Sequence, residues 1–329
     1  MLIPNGQSAE LRMSDHSLSI IAMGGNSLIS PEMAPTVQNQ FALAAQAVVP
    51  IADLIQQGHP MIVTHGNGPQ VGFMALRSEL SRDHIHEVPL DSLVANTQGS
   101  LGYMVQRALG EELRRRKHKH EVVSVITEVE VYPDDDAFEK PTKPIGRFYS
   151  DDESDTLAME RGWDMVYVES QGWRRVVPSP IPHRIVQLKT VRRLVDMGVL
   201  VVCCGGGGIP VVRSDDGTID GIEAVIDKDR VSALLGLEMG AERLFLTTGT
   251  DAIYADFSGP NRRRLQRLAV SEVKQMMADG EFPPGSMGPK VEAAIQFIEG
   301  GGRSAVVCRP PDLVEAFHGN AGTEIVADD

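Results

Sequence analysis

The chain has 329 residues, 42% of them hydrophobic, enough to bury a sizeable core and long for a single layered unit. Its formal charge of −14 opposes a phosphate backbone or an anionic membrane surface as partner, which excludes nucleic-acid binding and membrane association. Three cysteines, two of them adjacent in an apolar run, form neither a disulfide framework nor a metal spacing and point to a reducing, cytoplasmic setting.

Residues 1–17 are polar and aperiodic and read as a flexible tail. Ser19-Ile-Ile-Ala-Met23 then forms a strand that runs into the turn Gly24-Gly-Asn-Ser27, and a helical pattern spans Val37 to Gln57 with a kink at Pro50. Met61 to Thr64 is a second strand, ending in His65-Gly-Asn-Gly-Pro-Gln70, where Pro69 suits the first turn of a following helix. A helix from Asp91, read as its N-cap, to Arg116 and a strand from Val122 to Thr127 continue the β-loop-α rhythm. Between about 128 and 182, six prolines interrupt any long element, and the segment reads as an inserted lid subdomain. Its Asp134-Asp-Asp136 run reads as a solvated loop, and Arg114 to His120 as a solvated helix end. A helix from Ile185 to Met197 leads to the apolar strand ending in Cys203-Cys204, followed at once by Gly205-Gly-Gly-Gly208. A hairpin from Pro210 to Ile222, Glu223-Ala-Val-Ile-Asp-Lys-Asp229, a helix to Met239 and a strand from Arg243 to Thr247 come next. Helices at 271–278 and 290–299 and a strand from Ser304 to Cys308 close the pattern. Alternating strands and helices imply an α/β fold, an open, mainly parallel sheet covered on both faces. The expected lobes are 18–215, containing the lid, and 216–329.

Three strands thus end in glycine-rich turns, whose bare N–H groups suit oxyanions at the carboxyl edge of a sheet. The chain has 23 Arg but only 8 Lys, and Lys143, Lys228 and Lys290 occur in compact, turn-rich or acid-flanked motifs. P-loop and dinucleotide fingerprints are absent, as is a serine-hydrolase elbow, and the His-x-His pairs lack further metal ligands. What remains is equipment for phosphoryl transfer, which needs positioning and charge neutralisation more than covalent chemistry. No general base stands out.

Eight motifs in order resemble the carbamate kinase family, a branch of the amino acid kinase superfamily, from about Leu18 to Val326. They are Gly24-Gly-Asn26, His65 to Gln70, Pro89-Leu-Asp91 with Thr97-Gln-Gly99 and Gly102-Tyr103, Pro141 to Gly146, Trp173 to Ser179, Gly205 to Pro210, Glu223 to Asp229, and Pro284 to Lys290. The resemblance implies an α/β/α sandwich with a protruding subdomain, a homodimer, and an acceptor lobe followed by a nucleotide lobe. It implies reversible transfer between ATP and carbamate, giving ADP and carbamoyl phosphate, run towards ATP in nitrogen-compound and arginine catabolism, with Mg²⁺ accompanying the nucleotide. Lys143, Lys228, Asp229 and Lys290 would be catalytic. Gly24, Gly25, Asn26, Gly66, Asn67, Gly68, Gly205 and Gly206 would hold phosphate and acceptor, and Gly249, Thr250, Asp251, Tyr254 and Met287 would border the nucleotide. No direct protein ligand to a metal is assigned. Ser27, Arg147 and Ser170-Gln171 depart from the family pattern, which leaves two alternatives: a kinase of another small carboxylate or carbamate, and a non-catalytic nucleotide-binding regulator.

Overall fold

The computed structural model describes residues 17–30, 32–257, 259–282 and 287–328, with the side chain of Asn26 outside the description. The tail expected over 1–17 therefore lies almost wholly outside the described residues, as do Pro284, Gly285 and Ser286 of the last motif.

In chain order, β1 (Ser19–Met23) leads through a 3-10 turn to α1 (Val37–Ala47), α2 (Val49–Gln56), β2 (Met61–His65), α3 (Gly68–Ser81) and α4 (Leu90–Arg115). Next come β3 (Val122–Ser124), β4 (Glu128–Val131), β5 (Lys143–Tyr149), α5 (Asp151–Arg161), β6 (Asp164–Val168), β7 (Gly172–Val177) and β8 (Pro182–Ile185). Then follow α6 (Leu188–Asp196), β9 (Leu200–Val202), β10 (Ile209–Arg213), β11 (Ile219–Gly221), α7 (Lys228–Met239), β12 (Arg243–Thr247) and β13 (Ile253–Ala255). The chain closes with β14 (Arg263–Leu265), β15 (Arg267–Ala269), α8 (Val270–Ala278), α9 (Gly288–Glu299), β16 (Ser304–Cys308), α10 (Leu313–Phe317) and β17 (Thr323–Val326).

One eight-stranded sheet, in the order β15-β17-β16-β12-β1-β2-β9-β3, carries the molecule. Its pairs are parallel except β16 with β17. β1 is buried at every position because it lies mid-sheet with cover on both faces, which explains its unbroken apolar run. Its side chains alternate between two cores. Ile20 and Ala22 join residues of α7 and α9, while Ile21 and Met23 join residues of α1, α2, α4 and α10. Phe245, directly across from Ile21, is fully buried in the second core.

Several local expectations change. The helix read as kinked at Pro50 is two helices divided at Val48, because proline, lacking an N–H, is accommodated in the first turn of the second. Asp91 lies in the first turn of α4, and Pro89 is the N-cap; the freed Leu90 N–H donates to Glu223 at 2.7 Å. The helix expected from Ile185 begins at Leu188, since Ile185 ends β8. The strands expected at 122–127 and up to Cys204 pair only over Val122–Ser124 and Leu200–Val202. Within the segment read as a lid, β4 and β8 belong to a four-stranded sheet, β11-β10-β4-β8, that also takes in the later hairpin. The separate piece is the antiparallel sheet β5-β7-β6 with α5.

Candidate active site

The carboxyl ends of β1, β2 and β12 meet where the sheet order departs in opposite directions from β1, the switch point at which open α/β sheets bind ligands. A cleft of about 340 Å³ opens there, lined by Gly24, Gly25, Ser27, Gly66, Asn67, Gly68, Gly206, Thr247 and Gly249. Two of the glycine turns pack backbone to backbone. A Cβ on Gly66 would lie 2.7 Å from the Gly25 nitrogen and 3.1 Å from Lys228 Cδ, so no side chain fits. Gly24 N–H donates to Thr247 Oγ1 at 3.0 Å, tying the first turn to β12.

Three helices begin at this cleft: α3 at Gly68, α7 at Lys228 and α9 just before Pro289 and Lys290. Their positive dipole ends favour an anion, although at α7 the first N–H groups are already taken by an N-cap carboxylate. Onto these termini the fold brings the three lysines. Asp229 accepts from both Lys228 and Lys290, the latter at 2.9 Å. Lys143, at the start of β5 in the protruding piece, reaches Asp227 at 2.7 Å. Asp227 is also the N-cap of α7, its other oxygen accepting from the backbone N–H groups of Asp229 and Arg230. Burial works against ionisation of Asp227, but the charge and hydrogen bond of Lys143 and the charge of Lys228 hold its carboxyl below the usual range. Burial lowers the Lys228 pKa, opposed by Asp229 and reinforced by Lys290. The sequence offers Asp227 only as one of the two acids flanking Lys228; its pairing with Lys143, 84 positions away, has no local signal.

Gly205, expected to hold phosphate or acceptor, sits behind the cleft wall formed by its neighbour Gly206. A Cβ there would fall 2.4 Å from His65 Nε2, so its smallness serves packing against that imidazole, and it does not line the cleft. Asn67 does line it, with its side-chain amide donating to Thr97 Oγ1 at 2.8 Å, which fixes the turn to α4. Burial, helped by the charge of Lys228 and resisted by a contact with Gly66 O, lowers the His65 pKa to about 4, so the imidazole is neutral at physiological pH.

A narrower pocket of about 160 Å³ adjoins the cleft through Thr248 and Gly249 and is walled by Ile253, Tyr254, Phe257, Phe282 and Met287. Thr250 also lines it, with a buried hydroxyl that has no partner among the described residues. Asp251 stands behind it, accepting the Tyr254 hydroxyl at 3.0 Å and pairing with Arg264 at 3.4 Å. An apolar slot joined to a cationic cleft matches a nucleobase joined to its phosphates. Among the described residues no cluster of three or more His, Cys, Asp or Glu side chains could hold a metal, and Asp227 and Asp229 are engaged by ammonium groups. The site therefore fits a hard divalent cation carried on phosphate oxygens better than one caged by protein.

Arg147 does not enter the cleft. It pairs with Glu153 at 2.9 Å and Glu79 at 3.6 Å, stacks 4.1 Å over Tyr149, and lines a separate gap of about 710 Å³ between the protruding piece and the body.

Residues 17–309 match the model of the Amino acid kinase family. The chain is 40% identical over 312 residues to carbamate kinase-like protein YahI of Escherichia coli (strain K12), covering 94% of this chain and 98% of that protein. It is 41% identical over 310 residues to carbamate kinase 2 of Enterococcus faecalis (strain ATCC 700802 / V583), covering 94% and 98%. The solved carbamate kinase from Giardia lamblia bound to AMP-PNP superposes with a TM-score of 0.90 at 35% identity, over 96% of this chain and all of that one.

Proposed function

The chain belongs to the amino acid kinase family, in its carbamate kinase branch, and we propose that it transfers a phosphoryl group reversibly between ATP and carbamate. The observation that carries this reading is the lysine and aspartate constellation at three helix N-termini. Lys143, Lys228 and Lys290 surround one cleft and are held there by Asp227 and Asp229. The base sits in the slot walled by Tyr254 and Met287, and the phosphates enter the cleft past Thr248 and Gly249. Gly24 and Gly25 face the transferred group, and Gly66, Asn67 and Gly68 lie beside the acceptor. A carbamate oxygen is already anionic and attacks phosphorus without a base, so the protein's task is alignment and neutralisation. As the bond to the leaving ADP oxygen lengthens, negative charge spreads over the equatorial and leaving oxygens, where the three ammonium groups and the helix ends stabilise it. Mg²⁺ supplies further neutralisation when bound on the nucleotide. A homodimer in the cytoplasm, working in nitrogen-compound catabolism, belongs to the same reading.

Arg147, the departure from the family pattern that adds a cation, lines the separate gap and not the cleft, which favours carbamate over an acceptor carrying a second carboxylate. Purified protein given ADP and carbamoyl phosphate should form ATP at roughly 1 to 1,000 per second, and little from acetylglutamyl phosphate. ATP formed only from another acyl phosphate would overturn the acceptor and leave the phosphoryl chemistry standing.

A further inference from the structure

Between Asp256 and Glu272 the sequence contains no acidic residue and four arginines, Arg262, Arg263, Arg264 and Arg267, in a chain whose formal charge is −14. The structure sets this run beside the slot assigned to the nucleobase. β14 pairs antiparallel with β13, placing Arg264 across from Tyr254 and Arg263 across from Ala255. The Arg262 guanidinium lies 4.2 Å from the centre of the Tyr254 ring and 4.8 Å from that of Phe257, and both rings wall the slot. Arg264 pairs with Asp251, but among the described residues no carboxylate pairs with Arg262, Arg263 or Arg267, and all three are exposed. In the run Arg114–Arg116, by contrast, two of the three are neutralised, Arg115 by Glu112 and Arg116 by Glu112 and Asp53.

A nucleotide polyphosphate approaching so acidic a molecule is repelled at long range, and a local cationic strip reverses that field within about a Debye length, roughly 8 Å at physiological salt. We infer that the strip 262–267 is the capture surface for the nucleotide's polyphosphate and that Arg262 is the outer wall of the base slot. The inference rests on the nucleotide reading of that slot.

The test is stopped-flow association of ADP and of adenosine at ionic strengths of about 0.01 and 0.15 M, where the Debye length is about 30 and 8 Å. The proteins compared are wild type, the double variant Arg263→Gln with Arg267→Gln, Arg262→Ala, and Arg303→Gln. Arg303 is an exposed arginine just before β16, at the opposite end of the parallel strands. The double variant should lose about 10-fold in ADP association rate at low salt. That loss should shrink at the higher salt, and adenosine association should be unaffected. Arg262→Ala should weaken both ligands, and Arg303→Gln should match wild type. Wild-type ADP association by the double variant at low salt, or an equal loss from Arg303→Gln, overturns the capture surface. Wild-type affinity for adenosine in Arg262→Ala overturns the wall. A wild-type protein that binds neither ligand overturns the nucleotide reading itself, an outcome distinct from binding that the variants leave unchanged.

Discussion

Asp229 holds Lys228 and Lys290 while Asp227 holds Lys143, so the cleft's charges are placed by carboxylates before any substrate arrives. Changing any one lysine to Met keeps an unbranched stem and removes the charge. Turnover should fall at least ~100-fold, as when a positioned charge stabiliser is lost. Urea unfolding should stay cooperative, and near-normal turnover in any variant would remove that residue from the mechanism. Asp227→Asn keeps an oxygen for capping α7 but loses the charge that docks Lys143. Turnover should drop while the melting temperature changes little, whereas Asp227→Ala should lower both; equal turnover in wild type and Asp227→Asn would refute the docking role. A pH effect follows from His65, whose pKa is about 4 in the fold against 6.5 for the free side chain. The unfolded chain binds the extra proton between those values, so this stability is complete above about pH 6.5 and is lost as pH falls towards 4, by roughly 2–3 kcal/mol. The stability difference between wild type and His65→Gln should narrow by that amount between pH 7 and 4.5; a constant difference would count against it. Scarcity made the three lysines legible in the sequence. A glycine that faces a ligand cannot be told there from one packed against an imidazole, as Gly205 is against His65.

At the scale of elements, the protruding sheet β5-β7-β6 with α5 delivers Lys143 and meets the body through β5 packed on α3, with a large gap beside that contact. Arg161 pairs with Glu87 at 2.8 Å, Arg175 with Glu223 at 3.4 Å, and the Tyr149 hydroxyl donates to Glu79 at 3.1 Å. The two ion pairs, each with an exposed carboxylate, contribute about 0–1 kcal/mol apiece, little enough for a hinged lid to open and close. Adding ADP with carbamoyl phosphate should slow amide exchange across 143–177 and leave β1 and β12 unchanged; identical exchange with and without ligands would sink the lid. Prolines marked this region as distinct, yet its elements were largely unread. In α5 only Ser154 and Leu157 are buried, so the run Asp151-Asp-Glu-Ser-Asp155 carries no apolar stripe from which a helical period could be recognised. The signal present was the capping box of Ser150 and Glu153.

At the scale of the whole molecule, the expected division at 215/216 falls in the turn between β10 and β11, while the main sheet runs through both halves. β12 from the second half lies between β1 and β16, with Ser19 beside Arg243, a pairing across more than two hundred residues that no local pattern encodes. Alternating strands and helices were enough to infer a parallel sheet, but strand order depends on which long-range pairings bury most surface, and that is a property of the assembled core. A shared sheet with a core on each face gives the two halves no independent hydrophobic interior. The protruding piece differs, since its Ile145 and Val177 pack into a third cluster supplied mainly by Val71, Leu90, Leu93, Val94 and Val225 of the body. Both tryptophans, Trp163 and Trp173, lie in that piece, so their fluorescence reports on it while far-UV circular dichroism reports chiefly on the body. In urea the dichroism should show one transition for the whole body, shifted upward by about 2.7 kcal/mol when ADP is present at a hundred times its dissociation constant. The fluorescence change should come at lower urea, because the piece is held by a shallow shared cluster and a few ion pairs. Two steps in the dichroism would mean that the halves fold as separate units despite the common sheet, and coincident midpoints would mean that the lid is part of the body's cooperative unit.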